Sequence, residues 1–210
     1  MKPYYDEDGI TIYHGDCRDV LPNITADVAI TDPPYNVGIN YGEANHDQRA
    51  DYEEWCWSWF NFLPQVRAIS PGIANVAVWC RIAEPPFWIV AWHKPAAMGR
   101  GPMGFNNWEP VLIWGKPRGS ILVDVVLAPI VPDTSLNGHP APKPLAWAAG
   151  LVTRLVAPGD VVVDPFVGSG TTLVAAAQAG HRAIGIEIEE RYCEIAVQRL
   201  AQGVLQFEND

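Results

Sequence analysis

The sequence predicts an α/β fold with a doubly wound, mostly parallel sheet, and the last third of the chain gives the strongest reason. There, strand-like segments at 160–163 and 182–186 alternate with helix-like segments at 171–179 and 189–202. A glycine-rich loop, residues 164–172, follows the first of these strands and opens the next helix. Strands and helices that alternate in this way are typical of a parallel sheet covered on both faces.

The remainder of the chain supplies further elements for the same sheet. Residues 10–14 and 27–31 have the pattern of short strands, and the second strand runs into a turn at 32–35 that two successive prolines keep out of regular structure. The pattern also predicts a polar loop at 36–49, a helix at 51–69 bent near Pro64, buried strands at 73–80, 87–92 and 109–114, a loop at 95–107, a strand at 121–127 and a helix at 143–157.

Bulk composition indicates one globular domain, residues 1–210. Apolar residues make up 49% of the chain and charged residues 18%, which suits a single sizeable core that holds most of the nine tryptophans. The four cysteines are widely spaced, which argues against a zinc site or disulfides and favours a reducing compartment. With no signal peptide and no segment long enough to span a bilayer, we expect a cytoplasmic protein with no membrane partner and no metal.

The charge distribution is uneven. The net charge is −10, and residues 1–60 hold twelve acidic and three basic side chains, which disfavours strong binding to phosphates. Residues 94–118 reverse this balance, because Glu109 is their only acidic residue. The basic residues of that segment are Lys94, Arg100, Lys116 and Arg118. We expect them to form a small basic strip that binds DNA weakly and in a salt-sensitive manner, the alternative being an ordinary solvated face.

The glycine-rich loop has the features of a nucleotide-binding site. Its glycines let the backbone approach a ligand, and the following helix presents free N–H groups and the positive end of its dipole. Glu187, 19 residues after Gly168, ends the next strand, where a carboxylate can hold two ribose hydroxyls. The predicted cofactor-binding residues here are Asp164, Pro165, Phe166, Gly168, Ser169, Gly170, Thr171, Thr172, Glu187 and Ile188.

Asp164 separates the candidate cofactors. The loop by itself fits a dinucleotide as well, although Leu173 stands where a third glycine is expected. A carboxylate beside the loop would repel a pyrophosphate, but it would pair with the ammonium of an amino acid. S-adenosylmethionine has a ribose for Glu187, an ammonium for Asp164 and a carboxylate for the helix N-terminus, so it fits better.

The turn at residues 32–35 carries the groups that activate an exocyclic amino group of a base. Such a nitrogen is a weak nucleophile because its lone pair is delocalised into the ring, and acceptors for its N–H protons localise that pair. Asp32 can supply a carboxylate oxygen and Pro33 a backbone carbonyl, while Pro34 stiffens the turn. Tyr35 offers a flat face to a base rotated out of the helix. The alternative is a stiff loop with an aspartate cap.

The two motifs meet if strands 27–31 and 160–163 are neighbours in the sheet. Both loops would then emerge at the same carboxyl edge, which is where open α/β sheets bind ligands. Asp32, from the first loop, and Asp164, from the second, would flank one pocket, so Asp32 is also predicted to contact the cofactor.

In this order the motifs resemble the permuted beta group of DNA amino-methyltransferases, found in restriction–modification and phage systems. In that group D-P-P-Y comes first, a target-recognition region follows and the cofactor loop comes last. The same order is found here, with D-P-P-Y at 32–35, the middle segment at about 95–138 and the cofactor loop at 164–172. The resemblance covers nearly the whole chain. It implies a circularly permuted, Rossmann-like S-adenosylmethionine-dependent fold and direct in-line methyl transfer to a flipped base in DNA.

Shorter segments resemble further motifs of the family. Residues 15–17, Gly-Asp-Cys, imply that Asp16 and the backbone of Cys17 lie near the cofactor adenine. Residues 92–95, Trp-His-Lys-Pro, resemble a strand near the flipped base.

The segment 139–144 resembles the family motif that flanks the methionine of the cofactor, which implies that Lys143 binds there unless it only packs or caps. Ala141 and Pro142 stand where the family usually has Thr and often Gln, so we expect no side-chain contact from them.

The resemblance also bears on the substrate. Members with Asp before P-P-Y usually methylate adenine and members with Ser usually methylate cytosine, so Asp32 favours the N6 amino group of adenine. Only 44 residues separate Lys94 from His139, and part of them is scaffold, so we expect short or relaxed sequence specificity, or specificity borrowed from a second subunit. Dimers are common in the permuted group, which favours a homodimer.

Other interpretations remain open from the sequence. The same chemistry could act on N4 of cytosine, on RNA or on a protein glutamine amide. A binding module without catalysis and a dinucleotide oxidoreductase are two further classes. The intact D-P-P-Y argues against the first of these, and Asp164 argues against the second.

Overall fold

The computed structural model describes residues 2–42, 47–95, 99–130 and 142–207. For residues 99–101 and 203–207 it describes the backbone alone. In these ranges the strands are β1 (Tyr5–Glu7), β2 (Ile10–His14), β3 (Val28–Thr31), β4 (Val66–Ile69), β5 (Trp88–His93), β6 (Gly99–Gly101), β7 (Gly104–Asn106), β8 (Trp108–Trp114), β9 (Val125–Leu127), β10 (Val161–Asp164) and β11 (Arg182–Glu187). The helices are α1 (Cys17–Val20), α2 (Tyr52–Phe60), α3 (Val76–Ile82), α4 (Leu145–Leu155), α5 (Thr171–Gln178) and α6 (Glu190–Phe207).

Nine of these strands form one sheet in the order β1-β2-β11-β10-β3-β4-β8-β5-β9, and β6 and β7 form a separate hairpin. The four central pairings from β2 to β4 are parallel, as is the pairing of β5 with β9. Strands β1 and β8 run antiparallel to their neighbours. The predicted mostly parallel α/β sheet is therefore confirmed.

Helices cover both faces of the sheet, and each face has its own apolar core. One core packs α4, α5 and α6 against the sheet and includes Trp147 and Leu151. The other packs the helices near the N-terminal half and is rich in aromatic rings, among them Trp59, Trp79 and Trp114. Six of the nine tryptophans are buried, so the expectation that most of them pack in the core is confirmed.

Two predicted elements are wrong. The helix expected at 51–69 ends at Phe60, and Val66–Ile69 is a parallel strand beside β3. The strand expected at 73–80 is a 3-10 turn followed by α3, which inserts Trp79 into the core. Short apolar runs carry no clear period, so burial against neighbouring elements decides between helix and strand.

The middle of the chain contributes scaffold as well as loop. The loop expected at 95–107 contains the β6–β7 hairpin, and the strand expected at 121–127 is confined to Val125–Leu127. Strand β8 lies between β4 and β5, so part of the middle segment is scaffold, as expected. Across the described ranges, no helix is long and apolar enough to cross a membrane.

Candidate active site

The two loops predicted to meet do emerge side by side. Strands β3 and β10 are parallel neighbours, with Val28 opposite Val162 and Ala29 opposite Val163. Just beyond these pairs, the Thr31 hydroxyl donates a 2.7 Å hydrogen bond to Asp164 Oδ1. The D-P-P-Y turn and the glycine-rich loop therefore leave the sheet at one carboxyl edge.

A pocket with about 1080 Å³ of empty space, counting its open mouth, lies at this edge. Nearly all the predicted cofactor residues contribute to its wall. They are Asp16, Cys17, Asp32, Lys143, Asp164, Pro165, Phe166, Gly168, Ser169, Thr171, Thr172, Glu187 and Ile188. Gly170, which is part of the loop, is the one predicted cofactor residue outside the wall. The wall also includes residues that the motifs did not indicate: Arg18, Tyr41, Arg49, Trp55, Trp147 and Tyr192.

The glycine-rich loop is held tightly against α6. Gly170 has φ of +83°, and a Cβ there would lie 2.8 Å from the Cβ of Ala196, so only glycine fits without strain. Behind the loop, Arg199 Nη1 donates to the Ser169 carbonyl at 2.6 Å and to the Thr171 hydroxyl at 3.0 Å. Arg199 therefore fixes the loop, a role that its place on an amphipathic helix did not reveal.

Two buried carboxylates face the pocket. Glu187 Oε2 accepts from the Gly168 N–H at 2.8 Å, and its Oε1 accepts from the Glu189 N–H at 2.9 Å. Burial raises the pKa of Glu187 to about 7 and that of Asp164 to about 6, although hydrogen bonds to both carboxylates oppose the shifts. A polar or cationic ligand group beside either carboxylate would therefore stabilise its ionised form.

These residues fit S-adenosylmethionine. Glu187 stands at the strand end as an acceptor for ribose hydroxyls, and buried Asp164 can pair with an ammonium group. Asp16 lines the pocket beside them; it caps α1 through the Arg18 N–H and pairs with the Arg18 guanidinium. Among the described residues, no group of three or more His, Cys, Asp or Glu side chains could hold a metal ion.

The D-P-P-Y turn is fixed by hydrogen bonds to its backbone. The Tyr52 hydroxyl donates to the Pro34 carbonyl at 2.9 Å, and the Asn75 amide donates to the Tyr35 carbonyl at 2.7 Å. The Tyr35 ring packs against Gly72, where a Cβ would lie 2.8 Å from the ring. Asp32 and Pro33 are therefore presented on a rigid turn, as the two prolines predicted.

Lys143 lies against the turn. Its Nζ is 2.8 Å from Asp32 Oδ2 and donates to the Tyr35 hydroxyl, also at 2.8 Å. Burial raises the pKa of Asp32, while the charge and hydrogen bond of Lys143 act to lower it. Lys143 thus contacts the predicted catalytic turn as well as the pocket, and it stabilises the ionised form of Asp32.

Lys94 belongs to the same cluster and not to a free basic surface. It is 5% exposed, and its Nζ lies 2.5 Å from Glu109 Oε1. Glu109 Oε2 is in turn 3.5 Å from the Tyr35 hydroxyl, which also lies 3.2 Å from Ser70 Oγ. Apart from their positions at strand ends, nothing in the local sequence pattern indicates that Glu109 and Ser70 belong to the site.

The predicted basic strip is wrong in its geometry. Arg118 pairs with Asp160 at 2.9 Å and with Asp27 at 3.6 Å, and these acids precede β10 and β3. Lys116 follows β8, which runs antiparallel to β4, so both residues lie at the edge opposite the pocket. The backbone of Arg100 is in β6, but its side chain is outside the described set, as are residues 139–141.

The fold and the pocket define a class, a Rossmann-like methyltransferase with S-adenosylmethionine as its cofactor. Comparison with known proteins supports the same class. The sequence profile of a family described as DNA methylase, of the N6/N4 type, matches residues 87–198, just over half of the chain. The chain belongs to this DNA methylase family, and the protein is an S-adenosylmethionine-dependent DNA amino-methyltransferase.

Individual relatives extend the match over most of the chain. The type II methyltransferase M.ScaI of Streptomyces caespitosus is 28% identical over 261 residues, covering 95% of this chain and 84% of the relative. The crystal structure of the M1.HpyAVI–SAM complex is 25% identical with a TM-score of 0.68, covering 91% of this chain and all of that one. PvuII DNA methyltransferase, described as cytosine-N4-specific, shares the fold at 20% identity and a TM-score of 0.74, over 93% and 88% of the chains.

Proposed function

We propose that this enzyme methylates the N6 amino group of adenine in double-stranded DNA, on a base rotated out of the helix. The observation that carries the proposal is the position of Asp32, on a rigid turn and facing the pocket that holds the cofactor residues. The Asp that precedes P-P-Y favours adenine over cytosine by resemblance.

The residues of the turn account for the chemistry. S-adenosylmethionine supplies a methyl group on a positively charged sulfur. The Asp32 carboxylate and the Pro33 carbonyl accept the two N–H protons of the target amine, which localises its lone pair toward the pocket. Because the turn is already held by Tyr52 and Asn75, these acceptors need no rearrangement when the base arrives.

The Tyr35 ring and its neighbours favour a flat, electron-rich substrate. Lys143 Nζ lies 5.0 Å from the centre of the Tyr35 ring and 5.2 Å from that of Trp92, and Lys94 Nζ lies 5.2 Å from the Trp92 ring. A base entering beside Tyr35 would meet this ring and the Lys143 ammonium, which suits the ring nitrogens of adenine. Trp92 and Lys94, 3% and 5% exposed, support them from the interior.

Short or relaxed sequence specificity remains part of the proposal. Strand β8 takes residues 108–114 of the middle segment into the scaffold, and β9 takes 125–127. What is left among the described residues is the small β6–β7 hairpin and short connections, which offer few side chains to read base edges. Mapping of methylated sites on genomic DNA tests this, and a single long motif would contradict it.

The direct test is the product. The protein is incubated with S-adenosylmethionine and unmethylated DNA at low salt, and the DNA is digested to nucleosides for mass spectrometry. We expect N6-methyladenine from the wild type and none from Asp32→Ala, with cofactor affinity kept within about twofold. N4-methylcytosine would overturn the adenine assignment, and methylation only of RNA would overturn the DNA assignment. Near-normal turnover by Asp32→Ala would remove Asp32 from catalysis.

A homodimer is supported by an uncovered part of the sheet. Ile89, Val125 and Leu127 are 46%, 40% and 64% exposed, on the edge strand β9 and its partner β5. Nine large apolar side chains of residues 87–89 and 121–130 are exposed on these strands and the segments beside them. Asp124 is the only charged residue of segments 87–89 and 121–130, so a second copy suits them better than DNA does.

Light scattering tests the dimer. We expect the wild type to be dimeric and Leu127→Lys to be monomeric at micromolar concentration. The control is Ile73→Lys, which changes a residue of 48% exposure in a different part of the fold and should leave the dimer intact. A monomeric wild type would contradict the proposal.

A further inference from the structure

A line of hydrogen-bonding groups leads from Asp32 away from the cofactor pocket. Asp32 lines the pocket, whereas Tyr35 and Glu109 are not among the described residues of its wall. The Tyr35 hydroxyl donates to Asp32 Oδ1 at 2.5 Å and lies 3.5 Å from Glu109 Oε2. One hydroxyl therefore connects two carboxylates, one inside the pocket and one outside it.

The charges around this hydroxyl are balanced. Lys143, before α4, approaches Asp32 at 2.8 Å and Glu109 at 4.0 Å, and Lys94, after β5, approaches Glu109 at 2.5 Å. Two carboxylates thus face two ammonium groups, and Ser70 adds a neutral hydroxyl. Either carboxylate of this cluster can accept a proton.

Methyl transfer to an amino group leaves a proton that must be removed. The N–C bond forms while the C–S bond breaks, its electron pair stays on sulfur, and the nitrogen loses one N–H proton to the nearest acceptor, Asp32. A protonated Asp32 has one oxygen fewer with which to accept from the next amino group. Turnover therefore requires that Asp32 pass the proton on.

We propose that Asp32 passes this proton to Glu109 through the Tyr35 hydroxyl. When Asp32 is protonated on Oδ1, the Tyr35 O–H turns from Asp32 toward Glu109; the Asp32 O–H then gives its proton to the Tyr35 oxygen while the Tyr35 proton moves to Glu109 Oε2. Asp32 is then ionised, Tyr35 is neutral and Glu109 is protonated. The Asp32 side chain is 25% exposed and would be covered by the cofactor and the base, whereas Glu109, 16% exposed and outside the pocket wall, can still release the proton to water. The inference rests on the proposed role of Asp32 as acceptor of the target amino group.

The test variant is Glu109→Gln, which keeps the shape of the side chain but cannot take up the proton. We expect its multiple-turnover methylation rate to fall at least about tenfold between pH 6 and 9, with affinity for S-adenosylmethionine within about twofold of wild type. Glu84→Gln is the control, since Glu84 is an exposed acid paired with Arg67. An unchanged rate in Glu109→Gln would overturn the relay.

Asp32→Ala is measured in parallel, so that the two proposals fail separately. Activity in Asp32→Ala would contradict the proposed function, whereas an inactive Asp32→Ala together with a fully active Glu109→Gln would contradict the relay alone. Loss of rate could also arise because Lys94 is left unpaired. The double variant Lys94→Met/Glu109→Gln removes that charge: a persistent defect supports the relay, and recovery would reduce Glu109 to a counter-ion.

A readout without cofactor comes from carboxyl NMR of protein labelled with ¹³C-aspartate. The charge of Glu109 raises the pKa of Asp32. Glu109→Gln should therefore move the Asp32 titration midpoint to lower pH in the cofactor-free protein, and Glu84→Gln should not. An unmoved midpoint would show that the two carboxylates do not communicate.

Discussion

Lys143 Nζ lies 2.8 Å from Asp32 Oδ2, which joins the segment before α4 to the D-P-P-Y turn after β3. The backbone of Lys143 is anchored as well, because its carbonyl accepts from the Thr171 hydroxyl at 3.2 Å. One residue thus connects the cofactor loop, through its carbonyl, with the proposed catalytic carboxylate, through its ammonium. The electrostatic state of Asp32 depends on this contact.

Lys143→Met should move the acid limb of the pH–rate profile to higher pH. Asp32 has to be ionised to accept the target N–H, burial already raises its pKa, and loss of Lys143 removes the main opposing charge. On the acid limb we expect the single-turnover rate to fall by about tenfold for each unit by which the pKa of Asp32 rises. Lys143→Arg retains the charge and is the control. An acid limb that stays in place would contradict this role.

Affinity for S-adenosylmethionine should rise with pH up to about 7. Glu187, with a pKa of about 7, is protonated below that value in the cofactor-free protein, whereas acceptance from ribose hydroxyls requires the carboxylate. We expect Kd from calorimetry to fall by up to about tenfold per pH unit below 7 and then to level. Glu187→Gln should bind about tenfold more weakly at pH 8 and show a flatter profile. An identical pH profile in the variant would exclude Glu187 as the cause.

Glu187→Gln should also stabilise the cofactor-free protein at alkaline pH. Because the folded pKa of Glu187 is about 7, above its ordinary value of 4.5, folding favours the protonated form. Its contribution to stability is present below pH 4.5 and is lost as pH rises to about 7. The free energy of unfolding of the variant, relative to wild type, should increase by up to roughly 3 kcal/mol between pH 4.5 and pH 8. Urea denaturation at both pH values measures it, and a constant difference would contradict it.

Arg118→Ala should change stability and leave DNA binding alone. Arg118 is about half exposed and pairs with Asp160 and Asp27 at the edge opposite the pocket, so its loss should lower the free energy of unfolding by about 0.5–1 kcal/mol. DNA affinity by fluorescence anisotropy should stay within about twofold, with Lys116→Ala as a neighbouring control. A several-fold loss of DNA affinity in Arg118→Ala would contradict this prediction and place Arg118 on the DNA-binding surface.

Gly170→Ala should disturb the cofactor loop. The residue has φ of +83°, and its new Cβ would lie 2.8 Å from Ala196 Cβ, so strain adds to a clash with α6. We expect a loss of stability of about 1–3 kcal/mol and weaker cofactor binding. Gly159→Ala is a matched control, because Gly159 has φ of +90° but nothing within 4 Å of an added Cβ. Equal effects from both variants would assign the defect to backbone strain alone.

The sequence predicted the elements that carry strong local patterns. The alternating strands and helices of the last third, the glycine-rich loop and the D-P-P-Y turn all lie where their patterns indicated. Prediction failed at 66–69 and 73–80, where short apolar runs suit a helix and a strand equally and the surrounding core decided. It failed again for the basic strip, because the antiparallel β8 carries Lys116 and Arg118 to the far edge.

By itself, the sequence determined the cofactor loop and the proposed acceptor turn, because each is a contiguous motif whose backbone form follows from its own glycines and prolines. Only the tertiary structure decided what surrounds them. Glu109 lies near the start of β8, and Ser70 directly follows β4. The two strands are distant in the chain, but they are neighbours in the sheet, so both side chains reach the Tyr35 hydroxyl. A side chain that acts through such contacts has no local pattern, since its partners are set by strand order and register.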